Sequence, residues 1–255
     1  MTVWDVGQGL SVGVQTAKHD LLFDTGTAYA AQMQVLPNLQ AAGVRRLDAL
    51  VLSHHDSDHD GGAELILQQL RPHQIWAGQT QAYPFPTVAC RAGKAWVWDG
   101  VWFEWLNLPP LSTRNNDQSC VLRVIAGDKA LLVPGDLGKQ GERQLVAYYA
   151  DKLYSQVLIL GHHGSHTSND GRFIHAVSPT WAVASSGFAN SYGHPHAQVR
   201  TVLNANAVIL LRTDAMGALQ TTLSSEPIAW HSHSGYRPYW QRKPWMTLPE
   251  STGHE

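Results

Sequence analysis

No stretch of these 255 residues is long and apolar enough to span a bilayer, and there is no excess of basic side chains, the formal net charge being −2. The first lack reads as a soluble piece with no direct membrane insertion of its own. The second removes any global field that would hold a polyanion, so contact with nucleic acid would have to be local. Cysteine is scarce as well. Cys90 and Cys120 fall in no zinc-knuckle spacing and are either two buried thiols or one disulfide, which depends on a Cα separation that sequence does not supply. Met1 leads straight into Val3-Trp4-Asp5-Val6 without a charged and then apolar leader, so no export signal is expected; an excised domain of a longer membrane protein would look the same.

With 44% hydrophobic residues the chain can bury a large core. Ten tryptophans are many for this length. Trp76, Trp96, Trp98, Trp102 and Trp105 crowd its middle, where a tryptophan-rich core is favoured over an aromatic binding track.

Residues 54 to 60 place His54, His55 and His59 among Asp56, Asp58 and Asp60, directly before Gly61-Gly62. So many potential charges side by side are unfavourable unless a cation is bound, and imidazole with carboxylate is a metal-ligand set. The stretch follows a mostly apolar run, 47 to 53, which reads as a buried strand, and precedes a helix over 63 to 70.

Elsewhere the pattern is strand and helix in alternation. A three-strand meander over 2 to 26 ends at Asp24-Thr25-Gly26, where the carboxylate caps the next turn or orients a metal loop from behind. A helix over 29 to 42, interrupted at Pro37, stops at Gly43. Strands are expected at 74–78, 101–106, 119–124, 130–133, 156–160, 181–184, 207–212 and 217–223, with helices at 139–152, 170–177 and 197–205. The region 79–99 reads as turns and short extended pieces, and 107–118 as a loop. Two similar halves of this kind predict an α/β fold, a four-layer αββα sandwich over 1–225, followed by an aromatic and basic tail over 226–255. In that tail Tyr236, Arg237, Tyr239, Trp240, Arg242 and Lys243 interleave bases with rings, as single-strand binders do, although packing on its own domain or on a membrane portion of a longer parent protein explains it equally.

Eight of the fourteen histidines lie in three clusters, at 54–59, 162–166 and 194–196, each just after an expected strand. Strand ends along one sheet edge converge in space, so these clusters are expected to meet, with Asp136, after the strand at 130–133, available to bridge two ions.

The motif His54-x-Asp56-x-Asp58-His59 with Gly61-Gly62, the later Asp136 and His162 resemble the metallo-β-lactamase superfamily, with Asp56 standing where the usual pattern has histidine. Further pieces are Asp5-Val6-Gly7-Gln8-Gly9, Asn116-Asp117-x-Ser119, His162-His163-Gly164-Ser165, Gly193-His194-Pro195-His196 and Arg212-Thr213-Asp214. Together they resemble the C-terminal domain of ComEC-type competence DNA-internalisation channels over residues 3 to 223. That resemblance implies two divalent metal ions, one held by His54 and Asp56 and the other by Asp58, His59 and His162, with Asp136 shared. His162 is placed ahead of His163 as the last histidine ligand. The catalytic set expected is Asp58, Asp136, His163 and His194, with Asn116, His166 and His196 as substrate contacts. Asn116 stands in the region where the usual pattern has another histidine. Carboxylate in place of imidazole moves preference from zinc toward manganese, although affinity order still favours zinc.

The function so implied is a metal-dependent phosphodiesterase or nuclease that degrades the DNA strand not taken up, with single-stranded DNA and the parent protein's membrane channel as partners. It would stand on the periplasmic or extracellular face of the membrane, a compartment that favours the disulfide. Two alternatives remain at this point, a phosphodiesterase on a small or cell-surface substrate and a non-catalytic domain that docks or gates DNA.

Overall fold

The computed structural model describes residues 1–224 and 226–233. Its strands form two sheets. The first runs, in spatial order, Trp230–His233, Ala218–Thr221, Thr2–Val3, Val12–Gln15, Asp20–Phe23, Ala49–Leu52, Gln74–Ala77 and Val88–Ala89. The second runs Ile209–Arg212, Trp181–Ala184, Val157–Ile159, Lys129–Val133, Leu122–Ala126, Val101–Trp105 and Ala95–Trp98.

Three apolar clusters show how these sheets are layered. Between the sheets lie Phe23 and Val51 from one and Leu131, Val133, Val157, Ile159 and Val183 from the other. Their neighbours in sequence point the opposite way. Leu22, Leu50 and Leu52 meet Val35, Leu39, Ile66 and Leu70 outside the first sheet, while Leu132, Leu158 and Ala182 meet Leu145, Phe173, Ile174 and Leu203 outside the second. Successive side chains leave a strand on opposite faces, so a strand covered on both sides must be apolar at nearly every position, as these are. The result is the expected sandwich of helices, two sheets and helices.

Parallel pairing positions the chemistry. Asp20–Phe23, Ala49–Leu52 and Gln74–Ala77 are mutually parallel neighbours, as are Lys129–Val133, Val157–Ile159 and Trp181–Ala184. Their carboxyl ends therefore lie on one edge of each sheet, where ligands collect in open α/β sheets. Asp24, Ser53, Asp136, His162 and Ser185 all follow such ends.

Some elements differ from the sequence reading. Pro37 does not interrupt the helix over 28–41: it falls near the start of the segment Leu36–Ala41, after a wide π-helical stretch Ala31–Val35, where a missing N–H is tolerated. Region 79–99 contributes the strands Val88–Ala89 and Ala95–Trp98. The middle tryptophans do form a packed cluster. Trp96 stacks on Trp76 and on Phe103, and Trp105 is fully buried beside them, with Trp102 partly exposed. Part of the stretch read as a tail forms the strand Trp230–His233, paired with Ala218–Thr221; residues 234–255, which carry its aromatic and basic run, lie outside the described residues.

Cys90 and Cys120 are disulfide-bonded, with Cα atoms 5.6 Å apart. The bond joins the edge of the first sheet, just after Val88–Ala89, to the approach to Leu122–Ala126 in the second.

Candidate metal centre

The loop after Ala49–Leu52 is anchored from behind. Asp24 is wholly buried; its Oδ1 accepts the Ser53 N–H (2.7 Å), and its Oδ2 accepts the Ser53 hydroxyl (2.7 Å) and faces His59 Nδ1 (2.8 Å). Thr25 donates its N–H and its hydroxyl to the His59 carbonyl, at 2.7 and 3.0 Å. Gly9 closes the other side: it has φ +138, and a Cβ there would overlap the Asp58 carbonyl oxygen, which already accepts the Leu10 N–H. Asp58 and His59 are thus fixed through their backbone before their side chains are considered.

Hydrogen-bond direction then settles which nitrogen each histidine presents. Asp24 is an acceptor, so His59 Nδ1 donates to it and Nε2 faces inward. His163 Nδ1 lies 3.1 Å from the Ser185 carbonyl, also an acceptor only, so its Nε2 faces inward too. The Ser53 hydroxyl gives its proton to Asp24 and faces His54 Nδ1 (3.0 Å) as acceptor, which turns His54 Nε2 the same way. Outer partners of this kind are what orient histidine ligands on a metal.

Two overlapping groups result, His54 with His59 and Asp136, and Asp58 with His59 and His163, each offering ligand atoms within 4.8 Å of one another. His59 Nε2 lies 3.3 Å from His163 Nε2 and 3.2 Å from Asp136 Oδ1, while His163 Nε2 lies 3.1 Å from Asp58 Oδ2. His54 Nε2 and Asp136 Oδ1 are buried without a hydrogen-bond partner, the latter close to His59 but not aligned for one. A buried acceptor left unmade is costly. Inward-facing nitrogens beside orphaned acceptors fit a cation, so these residues suit the metal expected of them.

Charge balance agrees. Burial would lower the His59 pKa, but Asp136 and Asp24 outweigh it and hold it well above the ordinary imidazole value. Burial would raise Asp136, yet His59 and His163 hold it well below the usual carboxylate range. Burial dominates at His54 and pushes it down to about 3. Without a metal, protonated His59 helps to balance the buried carboxylates, a part that a metal cation would take over.

The remaining residues singled out from sequence lie around this core. Asp56 is exposed, and its carboxylate accepts the Ser57 N–H at the start of the helix Ser57–Asp60, a capping role that leaves it outside both groups. His162 is one-third exposed, with Nδ1 3.0 Å from the Thr167 hydroxyl and Nε2 3.7 Å from Asp136; it stands at the rim and His163 stands inside. His194 has its ring 5.9 Å from that of His162 and Nδ1 3.5 Å from Gln8 Nε2; burial, then His163 and His162, lowers its pKa to about 4. His166 and His196 contact each other, at 4.6 Å between rings, and His196 caps the helix Ala197–Ala205. Asn116 opens a single 3₁₀ turn, and it is Asn115 whose amide reaches the His55 carbonyl and Gln79. His55, outside the groups, pairs with Asp60, which also accepts from the Tyr83 hydroxyl.

Two supporting residues stand behind the groups: Ser119, which the sequence marks only within the motif Asn116-Asp117-x-Ser119 and without a role, and Glu142, which no motif marks. Ser119 Oγ accepts the Asp136 N–H and approaches His54 Nδ1 (3.4 Å). Glu142 is fully buried beneath the second histidine loop and accepts the N–H groups of Asn169 and Asp170 (2.7 Å each), while Asn169 in turn bonds the backbone of Gly161 and Ser165. The one sequence signal for that brace is Asn169-Asp170, a helix-start pair standing just after the histidine run.

Comparison with known proteins places this geometry. Competence protein ComA of Neisseria gonorrhoeae is 53% identical over 247 residues, 96% of this chain and 35% of that protein. ComE operon protein 3 of Bacillus subtilis (strain 168) is 29% identical over 251 residues, 85% of this chain and 32% of that protein. The chain thus spans about a third of the length of these curated relatives. The crystal structure of the metallo-beta-lactamase fold protein YhfI from Bacillus subtilis superposes with a TM-score of 0.57 at 13% identity, covering 83% of this chain and 95% of that one, a likeness of fold. Residues 4–187 match the family model of the metallo-beta-lactamase superfamily, and with the inward-facing histidines on the carboxyl edge of two facing sheets this establishes that the chain belongs to that superfamily.

Proposed function

We propose that this chain is a metal-dependent phosphodiesterase acting on DNA, the nuclease part of a ComEC-type competence protein that degrades the strand not taken up. The observation that carries the reading is the pair of three-residue groups sharing His59, with His54 Nε2 and Asp136 Oδ1 buried and unpartnered. Two shared groups suit two divalent ions, manganese or zinc. Bound ions would supply charge neutralisation at the phosphate and a nucleophile at neutral pH. His54, His59, His163, Asp58 and Asp136 would hold them. The chain's own residues do the rest. Asp24, Ser53 and Ser185 keep three imidazoles turned inward, and His162 and His194 line the rim where a phosphodiester would lie. His194, uncharged at neutral pH, is suited to hydrogen-bonding a phosphate oxygen.

DNA enters through the competence relatives and not through charge, since the net charge is only −2. The location proposed with it rests on the ComEC resemblance of the sequence: a domain of a membrane protein, on the periplasmic or outer face, with the channel of its parent as partner. Among the described residues no helix is long and apolar enough to cross a membrane. The Cys90–Cys120 bond suits an oxidising compartment.

The test is cleavage of end-labelled single-stranded DNA by metal-stripped protein refilled with Mn²⁺, Zn²⁺ or Mg²⁺, beside Asp58→Ala and beside a chromogenic phosphodiester. Cleavage of DNA by wild type and not by the variant is expected. Cleavage of the small ester alone would move the substrate to a small phosphodiester. Metal binding with neither cleaved would make the domain a docking module.

A further inference from the structure

Loop 187–194 carries the Tyr192 ring to the mouth of the site and is held by several hydrogen bonds. Asn190 Nδ2 donates to the carbonyls of Gly187 (2.9 Å) and His194 (2.8 Å), and its Oδ1 accepts the His194 N–H (2.8 Å). The loop is seated on the first turn of the chain through Gly187 N–H to Gln8 Oε1 (3.3 Å) and Gln8 to His194. So braced, it leaves Phe188 58% and Tyr192 66% exposed. The Tyr192 ring stacks on His194 (5.5 Å, 24° between planes), and the His194 ring neighbours those of His162 and His163.

Large apolar side chains held outward on a rigid loop gain nothing for folding, because the hydrophobic effect rewards their burial. Tyr192 stands two ring contacts from the ligand groups, with Phe188 exposed on the same loop, and that position gives the loop a use. We propose that Phe188 and Tyr192 form a stacking platform for nucleobases beside the phosphodiester to be cut. The platform rests on the reading of the substrate as DNA and deepens it, by making the substrate a strand whose bases are unpaired and free to stack. Stacking tolerates every base, so it adds strand affinity that does not depend on net charge. That resolves the difficulty raised by the chain's modest charge.

The experiment uses the 255-residue chain and two fluorescein-labelled 12-mers of equal charge, one of thymidines and one of abasic residues, with binding followed by fluorescence anisotropy at one fixed salt concentration. Wild type is expected to favour the base-bearing strand by roughly tenfold per stacked base, and Phe188→Ala/Tyr192→Ala to lose that preference. Tyr192→Trp should keep it, as should Tyr148→Ala, a control at an exposed tyrosine on the helix Lys139–Tyr149. Equal affinity of wild type for both strands, or an undiminished preference in the double variant, would overturn the platform. Binding decides this whether or not the strand is cut. Cleavage of both strands after refilling with Mn²⁺ tests the nuclease reading separately: no base preference in wild type with cleavage intact removes the platform alone, and absence of all cleavage with the wild-type preference intact removes the nuclease alone.

Discussion

The loop over 53–62 and the loop over 161–169 deliver histidines to one place by opposite means. The first keeps ordinary backbone and relies on contact. Its carbonyls and N–H groups are taken up by Thr25, Leu10 and Cys120, glycines at 9, 61 and 62 admit neighbouring chain where a Cβ would clash, and Asp24 reaches in from behind. The second takes a conformation that L-residues avoid. His162 (φ 51, ψ 48) and His163 (φ 57, ψ 19) are consecutive left-handed residues, a strain of about 1–2 kcal/mol each. What offsets it is a buried acid: Glu142 holds Asn169, and Asn169 holds the ends of the turn. One loop is held by fit and the other by a brace, and the brace titrates.

The largest effect expected of this contrast concerns pH. Burial pushes the Glu142 carboxyl up to about 8 from a model-peptide value of 4.5. Between those values the folded state binds a proton that the unfolded state has released, so stability falls as pH rises across the window, by roughly 4–5 kcal/mol in all. Urea unfolding at pH 5, 6.5 and 8 should show that fall in wild type and a flatter profile in Glu142→Gln. The same slope in both would remove the titrating brace.

Next comes the joint between the loops. Cys120 donates its N–H to the Ser53 carbonyl and precedes the strand opposite Val133, so the disulfide ties the first loop to the sheet that carries Asp136. Its ends are 30 residues apart. Closing a loop of that size contributes about 3–4 kcal/mol through the unfolded chain. Replacing both cysteines by alanine should lower the denaturant midpoint accordingly, with little change in metal affinity. A large loss of metal affinity at unchanged stability would show that the bond shapes the site and does more than close the chain.

The smallest effect sharpens the description of the contact-held loop. Asp24→Asn keeps shape but loses the carboxylate that faces His59 Nδ1, and should weaken metal binding by about 10- to 100-fold. Titration calorimetry with Mn²⁺ or Zn²⁺ measures it. A change of less than about threefold would mean that the backbone contacts alone orient His59.

Much of the fold was legible because its central strands are covered on both faces. Runs such as Ala49–Leu52 and Val157–Ile159 have to be apolar throughout, and that signal is local. The short strands Val88–Ala89 and Ala95–Trp98 gave no such signal, since each lies at a sheet edge and owes its pairing to the partner. At the site, the density of histidine and aspartate marks residues 54–60, but side-chain direction there depends on a helix that begins at Ser57 and draws Asp56 into its cap. Nor does spacing separate His162 from His163: two left-handed residues in succession reverse which neighbour faces inward, and that conformation leaves no mark on residue type. Glu142 acts through partners far away in sequence and no local pattern marks it, while the motif that contains Ser119 does not show that its hydroxyl meets Asp136 and His54.

The Cys90–Cys120 bond lies in the interior, with Cys120 inaccessible and Cys90 only 6% exposed. Thiol exchange needs a thiolate to approach a sulfur directly. A small reductant in solution therefore reaches this bond when the structure around it opens, at the short edge strand Val88–Ala89 or between the sheets. In excess glutathione or dithiothreitol the rate of its loss counts the openings of the native molecule, which makes the bond an internal clock, readable by alkylation and mass spectrometry without any denaturant.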